Sequence, residues 1–309
     1  MIAYLLRRIS ILCLTLVGIT FVTFLLVKTL PGDPVQGLIG ERADKAAVER
    51  IRTELGTDRP FLLQYGGYMK LLASGDLGVS FYTNRKVADD LKAKCLHTLE
   101  LAFAAMIFAS LTGLILGTLM AVNRGSIVDR IGLLISAGGI SLPVFWLGLT
   151  LMLVFAFLIP ILPPSGMGEG QLIYLVLPAS TLGINSAAYI VRITRSSLLE
   201  VLSQPYITTA RSKGLTKSKV ILKHALKNAL LPIITLIGLD FGSYLNGSVL
   251  TETIFGWDGV GRYAVEGIMR RDYPVVMGTV LVGAAFFVLI NFIVDLVYLY
   301  LDPRIKVRE

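Results

Sequence analysis

Long apolar stretches separated by polar segments dominate the pattern along this chain. An apolar run covers residues 9–27, and five later stretches also reach the roughly 20 residues that a helix needs to cross a bilayer. Those five stretches are 98–122, 131–159, 172–191, 229–250 and 275–300. The stretch 131–159 is longer than one crossing requires and contains Pro143, so we expect it to be tilted or kinked. The pattern predicts an all-α membrane protein with six transmembrane helices.

The first apolar run begins like a secretory signal peptide, because Arg7 and Arg8 precede it. The apolar core of a signal peptide is about 7–15 residues long, and a cleavage site of small residues follows it. Here the run is longer, and the sequence after it begins with Lys28 and Thr29 and has no such site. We therefore interpret residues 1–30 as a retained N-terminal transmembrane helix.

The segment 31–95 is polar and charge-balanced, with ten Lys/Arg and nine Asp/Glu. Helical spacing of its apolar residues predicts helices at 44–55 and 61–73. The glycines of Ser74-Gly75-Asp76-Leu77-Gly78 predict a turn directly afterwards. We expect this segment to be a small helical extracytoplasmic insertion, and we expect residues 96–309 to form the five-helix transmembrane core.

Positive charge is concentrated in segments that fall on one side of the predicted membrane. The largest is a polar arm at 192–228, which holds eight Lys/Arg against a single acidic residue, Glu200. The short loop 160–171, on the opposite side, holds no Lys or Arg. Because cytosolic loops carry the excess of Lys and Arg, we expect both termini and the arm to be cytosolic.

Composition agrees with a membrane protein and narrows the possible chemistry. The mean hydropathy is +0.72 and 16% of residues are charged, against roughly 25% in soluble domains. The net charge of +8 is explained by the cytosolic Lys and Arg, so no nucleic-acid partner is expected. The two cysteines, Cys13 and Cys95, have no redox or zinc spacing and are predicted at opposite faces of the bilayer.

Enzyme activity is disfavoured by what the sequence lacks. It contains no Gly-x-x-x-x-Gly-Lys-Ser/Thr phosphate loop, so ATP hydrolysis of that kind is not expected of this chain. His97 and His224 are too far apart for a His-Glu-x-x-His zinc motif. Transport remains, either by a subunit powered from outside the chain or by a self-sufficient secondary transporter or channel. A receptor-like scaffold without a path is the third hypothesis.

Three acidic residues fall inside predicted spans, where an ionisable group usually faces the bundle interior or an aqueous path. Glu100 and Asp295 lie near span ends, which favours a structural role. Asp240 lies in the middle of the fifth span, with Asn246 two turns further on. For Asp240, lining a path and making a structural hydrogen bond are both open interpretations.

The arm at 192–228 has the pattern of an ordered structure. The fourth span is predicted to continue as a helix past Arg192, and Pro205 would end it or begin the next element. A short helix is predicted at 206–213 with Gly214 as its C-terminal cap, before a basic helix that leads into the fifth span. The arm would either rest on anionic lipid headgroups or present its short helix to a soluble partner.

The arm also contains the motif Tyr206-Ile207-Thr208-Thr209-Ala210-Arg211-Ser212-Lys213-Gly214, followed later by Leu231-Pro232. This motif resembles the inner-loop signature of permeases in binding-protein-dependent ABC importers. In that family the pattern is Glu-Ala-Ala, three residues, Gly and then Leu-Pro. The triplet Thr208-Thr209-Ala210 and the longer gap to Leu-Pro are similar to the dipeptide, oligopeptide and nickel branch.

Further motifs resemble the same branch along almost the whole chain. They are Leu30-Pro31-Gly32-Asp33-Pro34, Gly75-Asp76-Leu77-Gly78, Arg195-Ser196-Ser197, Glu252-Thr253-Ile254-Phe255, Arg271-Asp272-Tyr273-Pro274-Val275 and Asp302-Pro303-Arg304-Ile305. Two positions depart from it. Asp258 stands where relatives usually have proline, and Asp240 stands where many carry an amide or another polar group.

The resemblance implies a type I ABC importer permease in a bacterial cytoplasmic membrane. Such a subunit pairs with a second, related permease, two cytosolic ATPase subunits and an extracytoplasmic solute-binding protein. ATP and Mg²⁺ would belong to the ATPases, with no cofactor in this chain. The residues implied in coupling to the ATPase are Tyr206, Thr208, Thr209, Ala210 and Gly214.

The expected cargo is a di- or oligopeptide, with nickel, a metal–opine chelate or glutathione as alternatives. Asp240 and Asn246 are the candidates for lining the translocation path. We hypothesise that Asp240 favours a cationic group, such as the amino terminus of a peptide or a chelated metal.

Overall fold

The computed structural model describes residues 14–26, 60–245 and 248–301, with side chains described up to residue 293 except for Glu169. The predicted helix at 44–55, Cys13 and Asn246 lie outside these residues, and so does the side chain of Asp295. The described chain consists mainly of α-helices. They are α1 Leu14–Leu26, α2 Phe61–Ala73, α3 Val87–Val122, α4 Ile127–Ser141, α5 Val144–Met152, α6 Ile173–Leu202, α7 Pro205–Ser212, α8 Lys217–Leu245, α9 Val249–Ile254, α10 Val260–Met269 and α11 Tyr273–Leu301.

Four of the described helices are long and apolar enough to cross a membrane: α3, α6, α8 and the Tyr273–Ile293 part of α11. A fifth crossing is formed if α4 and the bent continuation of α5 are taken as one broken span. Of the first predicted span, the structure describes only α1, which is shorter than one crossing. The all-α membrane architecture is confirmed, and five of the six predicted spans have a counterpart among the described helices.

The predicted kink in the third span lies between α4 and α5. The two segments meet at an angle of 104°. Leu142 is extended (φ −79°, ψ 129°), as expected for a residue that precedes proline, and Pro143 lacks the N–H that would continue the helix. After Met152 the helix changes to a π-helical turn over Leu153–Leu158.

The chain divides into two compact units. The first comprises residues 1–98 and 258–288. In it, Val87, Leu91, Val260 and Val275 form a buried cluster. The buried carboxylate of Asp272 accepts hydrogen bonds from Ser80 Oγ (2.5 Å) and from the backbone N–H groups of residues 81 and 82 (3.2 and 3.3 Å). These bonds fix the loop between α2 and α3 to the start of α11.

Helix α2 has the bounds predicted from the sequence and packs within the same unit. Its aromatic residues contact α1, with ring centroids 5.3 Å apart for Phe24 and Phe61 and 5.5 Å apart for Phe24 and Tyr65. The hydroxyl groups of Thr20 and Tyr65 are 3.1 Å apart and share a hydrogen bond. Aromatic edge contacts of this kind stabilise a pair by about 0.5–1.5 kcal/mol beyond area burial.

The second unit comprises residues 99–257 and 289–309, and α6 packs against α4, α5 and α8 within it. Small residues allow α3 to approach α6 closely. A Cβ atom added to Gly113 would lie 2.3 Å from Ile190 Cγ2, and one added to Gly117 would lie 2.6 Å from Thr194 Cβ. Glycine is therefore required at both positions by the closeness of the two helices.

Candidate functional site

The predicted arm is an ordered helical structure in the second unit. Helix α6 runs past Arg192 to Leu202, as predicted, and Leu198 is fully buried in the core of the arm. Pro205 is the first residue of α7. Proline is tolerated there because the backbone N–H of the first helical residue has no acceptor within the helix. The chain then turns at Gly214 and enters α8, which starts at Lys217.

Helix α7 buries one face and exposes the other. Ile207 and Ala210, three residues apart and therefore on the same side, are 0% and 8% exposed. They belong to one apolar cluster with Ala121, Leu198, Val220, Ala225 and Ala229. Tyr206, Thr208 and Thr209 are exposed. The helix is thus anchored by an apolar face and exposes a polar face to solvent.

The predicted coupling residues therefore divide into three groups. Tyr206, Thr208 and Thr209 are accessible to another protein. Ala210 faces the core of the arm, so its contribution is to hold α7 in place. Gly214 lies in the left-handed region with φ +78°, and its N–H donates to Arg211 O at 2.9 Å. Nothing lies within 4 Å of a Cβ added there, so only the backbone conformation favours glycine.

A side-chain hydrogen bond connects the start of α7 to α8. Asn228 Nδ2 donates to Tyr206 Oη at 2.9 Å and also to His224 O at 2.9 Å. Together with the shared apolar cluster, this bond makes α7 and the first turns of α8 one packed structure. A displacement of α7 would therefore be transmitted to α8.

Helix α8 contains a feature that sequence reasoning missed, a π-helical turn over Val220–Ala225. Val220 and Ala225 are both buried in the cluster under α7. They are five residues apart, and the i→i+5 bonding of a π turn brings such residues to the same side of a helix. Their apolar character was visible in the sequence, but a spacing of five has no counterpart in an α-helical pattern.

A buried ion pair holds α6 at the start of the arm. Arg195 donates to Asp129 through Nε (2.5 Å to Oδ1) and through Nη2 (2.8 Å to Oδ2). The N–H of Gly125 donates to Oδ2 at 2.9 Å, and Asp129 is only 2% exposed. The pair was not predicted. The sequence signal that was available is Ser126, three residues before Asp129, because this spacing is typical of a helix start. In the structure, the N–H of Asp129 donates to Ser126 Oγ at 3.3 Å.

Asp240 lies at a polar cavity of about 280 Å³ in the second unit. The polar residues that line it are Asn185, Ser186, Asp240, Ser243, Tyr244 and Ser248. The oxygen Oδ2 of Asp240 is inaccessible to solvent and accepts no hydrogen bond from the described residues. The other predicted path residue, Asn246, lies outside the described residues, so the structure does not place it with Asp240.

Hydrogen bonds fix the walls of this cavity. Tyr244 Oη donates to Leu182 O at 3.0 Å and shares a short hydrogen bond with Ser186 Oγ. Asn185 Nδ2 donates to Gly139 O at 3.0 Å, in the last turn of α4 before the bend. Irregular backbone inside a membrane is tolerated where it is buried in protein or lines a polar cavity, and the break between α4 and α5 lies beside such a cavity.

Asp258, where the sequence resemblance implies a proline, takes part in a charge cluster of the first unit. Lys94 Nζ makes a short ion pair with Asp258 Oδ1 and lies 4.8 Å from the ring centroid of Tyr263. Tyr263 Oη donates to Asp90 Oδ2 at 3.1 Å. Burial, followed by the negative charge of Asp90, raises the pKa of Tyr263, so the phenol stays protonated as a donor. Asp258 thus contributes an ion pair to this cluster.

Family comparisons cover nearly the whole chain. Residues 113–307 match the family described as binding-protein-dependent transport system inner membrane component. Residues 1–102 match the corresponding N-terminal family of membrane components.

Curated relatives are similar over their full length. The dipeptide transport system permease protein DppB of Alkalihalophilus pseudofirmus is 42% identical, covering 99% of this chain and 100% of the relative. DppB of Escherichia coli strain K12 is 41% identical over 100% of both chains. The glutathione transport system permease protein GsiC of Escherichia coli O6:H1 is 39% identical, also over 100% of both.

Solved structures show the same fold at lower identity. A structure of the inward-facing MetNI methionine ABC transporter has a TM-score of 0.56 and 22% identity, covering 69% of this chain and 96% of the other. A crystal structure of an amino acid ABC transporter with histidines has a TM-score of 0.51 and 19% identity, covering 68% and 92%.

Proposed function

This chain belongs to the family of inner membrane components of binding-protein-dependent transport systems, and we propose that it is the permease subunit of an ABC importer for peptides. The observation that carries the coupling role is the position of α7, which is anchored by one face at the junction of two long apolar helices and exposes its other face. A soluble ATPase that engages the exposed face can move both helices together.

The exposed residues Tyr206, Thr208 and Thr209 form the proposed contact surface for the ATPase. Ala210, together with Ile207, keeps α7 on the arm, and Gly214 makes the turn that sets the direction of α8. Closure of the ATPases on ATP would push α7 and, through its apolar cluster, α6 and α8. ATP and Mg²⁺ would act in the ATPases, and this chain would hold neither.

The proposed assembly contains a second permease, two cytosolic ATPases and an extracytoplasmic solute-binding protein in the bilayer of a bacterial cytoplasmic membrane. Both termini and the arm would face the cytosol, in accordance with the excess of Lys and Arg there. This chain would supply half of the translocation path, with Asp240 and Asn246 among its lining residues.

Dipeptides are the proposed cargo because the curated relatives named for dipeptide transport are the more similar of those compared. Glutathione is the alternative, because relatives named for glutathione transport match equally completely at 39% identity. Both cargoes are peptides that carry a free amino group, so a translocation path for either of them would contact such a group.

The proposal is tested by ATP-driven uptake in proteoliposomes that contain this chain with its partner permease, both ATPases and the binding protein. Labelled L-alanyl-L-alanine should accumulate only when ATP and the binding protein are present, and labelled glutathione should accumulate more slowly. Uptake that persists without the ATPases would indicate a secondary transporter and would contradict the proposal. Faster uptake of glutathione would assign the alternative cargo.

A further inference from the structure

We propose that the cavity at Asp240 is a binding site for the primary ammonium group of the peptide on its way through the membrane. The inference rests on the proposed function and goes beyond it, because it assigns a chemical recognition event to the permease itself. Asp240 is the one charged residue among the described residues that line the cavity.

The hydrogen bonds of the cavity walls determine what it can recognise. The hydroxyl of Tyr244 has a single proton, which it donates to Leu182 O. The hydroxyl of Ser186 lies against both Tyr244 Oη and the carboxyl group of Asp240, and its single proton can satisfy only one of them. The hydroxyls of Ser186 and Tyr244 therefore have no proton to spare for a molecule in the cavity and can only accept from it.

Asp240 adds a stronger acceptor to this set. Its Oδ2 is inaccessible to solvent and receives no donor from the described residues. An unpaired carboxylate oxygen at such a position is costly, and a cation bound at the accessible part of the same carboxyl group would offset that cost. An ammonium group provides both the charge and three N–H donors. The cavity is therefore complementary to an ammonium group and not to an anion.

A divalent metal ion is a weaker match than an ammonium group. Among the described residues, no three His, Cys, Asp or Glu side chains come together in a way that could hold a metal. The cavity has one carboxylate and several hydroxyl groups, whereas transition metals are usually held by several ionised or imidazole ligands.

The cavity volume agrees with recognition of one end of a small peptide. Sites that enclose a whole drug-sized ligand measure about 300–1,000 Å³. This cavity measures about 280 Å³, which accommodates an amino-terminal residue with its ammonium group. The rest of the peptide would extend toward the part of the path that the second permease supplies.

The test measures the ratio of peptide imported to ATP hydrolysed in the complete reconstituted complex, with L-alanyl-L-alanine as the probe. Asp240→Asn should lower uptake about ten-fold, because a charged hydrogen bond is replaced by a neutral one, while ATPase stimulation by the loaded binding protein persists. The matched control is Glu100→Gln, which removes an exposed carboxylate of α3 outside the cavity and should leave the ratio unchanged.

Three outcomes would overturn the inference. Unchanged uptake by Asp240→Asn would show that the carboxylate meets no cargo. A parallel loss of uptake and ATPase activity in an assembled complex would show a purely structural role. The uptake rate of the wild-type complex is measured in the same experiment and tests the proposed function separately. If that complex imports no dipeptide at all, the proposed function is wrong, whatever the role of Asp240. Nickel uptake that requires Asp240, with dipeptide uptake retained, would assign the site to a metal and contradict the ammonium proposal.

A second pair of variants decides the question if Asp240→Asn does not assemble. Ser243 is exposed, lines the same cavity and lies three residues from Asp240 on α8. Ser243→Lys brings an ammonium group to Asp240 in advance of the cargo, whereas Ser243→Met adds a neutral side chain of similar length. Uptake should be about ten-fold lower with Lys than with Met. Equal uptake by the two variants would contradict the proposal.

Discussion

Gly214 provides the sharpest test of the coupling geometry, because its requirement for glycine comes from the backbone alone. The residue has φ +78°, and a side chain there would meet no atom within 4 Å of its Cβ. Replacing it by valine therefore introduces conformational strain without a steric clash. The strain acts on the turn that directs α7 into α8.

The magnitude follows from the cost of a left-handed conformation. An ordinary L-residue in that region costs roughly 1–2 kcal/mol, and a β-branched residue lies at the upper end or beyond. Because each 1.4 kcal/mol is a factor of ten, the native turn should lose about 5- to 30-fold in population relative to other conformations. Asparagine tolerates the same conformation, so Gly214→Asn should behave much more like the native protein.

The assay is ATP-driven dipeptide uptake by the reconstituted complex, with ATPase stimulation by the binding protein measured in parallel. Gly214→Val should reduce both by about ten-fold while the chain still inserts and copurifies with its partner permease. Gly214→Asn should retain most of both activities. Native uptake by the valine variant, or equal losses in the two variants, would refute the coupling role of this turn.

Three further changes test separate contacts. Asn228→Ala removes the bond to Tyr206 and should lower uptake about five-fold, corresponding to about 1 kcal/mol, with little change in the unfolding temperature of the complex; an unchanged rate would show that this bond is not part of the coupling. Arg195→Gln leaves the buried Asp129 unpaired and should lower the free energy of unfolding by about 3–5 kcal/mol, whereas the double variant with Asp129→Asn should recover part of that stability. Thermal unfolding in detergent measures the stability of both variants. Equal losses of stability in the single and the double variant would contradict the explanation by an uncompensated charge. Thr209→Arg adds a bulky charge to the exposed face of α7 and should reduce copurification of the ATPases without changing the unfolding temperature; normal copurification would show that this face is not the docking surface.

Features with a local sequence signal were predicted well. The apolar spacing of Phe61–Ala73 gave the bounds of α2, and Pro143 located the bend between α4 and α5. Gly214 marked the end of α7, because a residue with positive φ at a helix end is most often glycine. Each of these signals is contained in a few consecutive residues.

Features that depend on distant residues were missed. The partner of Asp129 is Arg195, 66 positions away, and the partner of Ser186 is Tyr244, 58 positions away. Nothing in one sequence identifies which polar residues meet across such separations. Asp240 could be singled out as an acid within a span, but its cavity could be recognised only once α8 was placed beside α6.

The most direct test of the central claim is whether the exposed face of α7 touches an ATPase in the assembled complex. Thr208 is exposed and Ala210 is buried on the opposite side of the same helix. Each is replaced by cysteine, in a background where Cys13 and Cys95 are alanine, and the complex is treated with a cysteine-directed photo-cross-linker. The account predicts a strong ATPase adduct from Thr208→Cys and little from Ala210→Cys. Absence of the Thr208→Cys adduct in a complex that still imports peptide would contradict it.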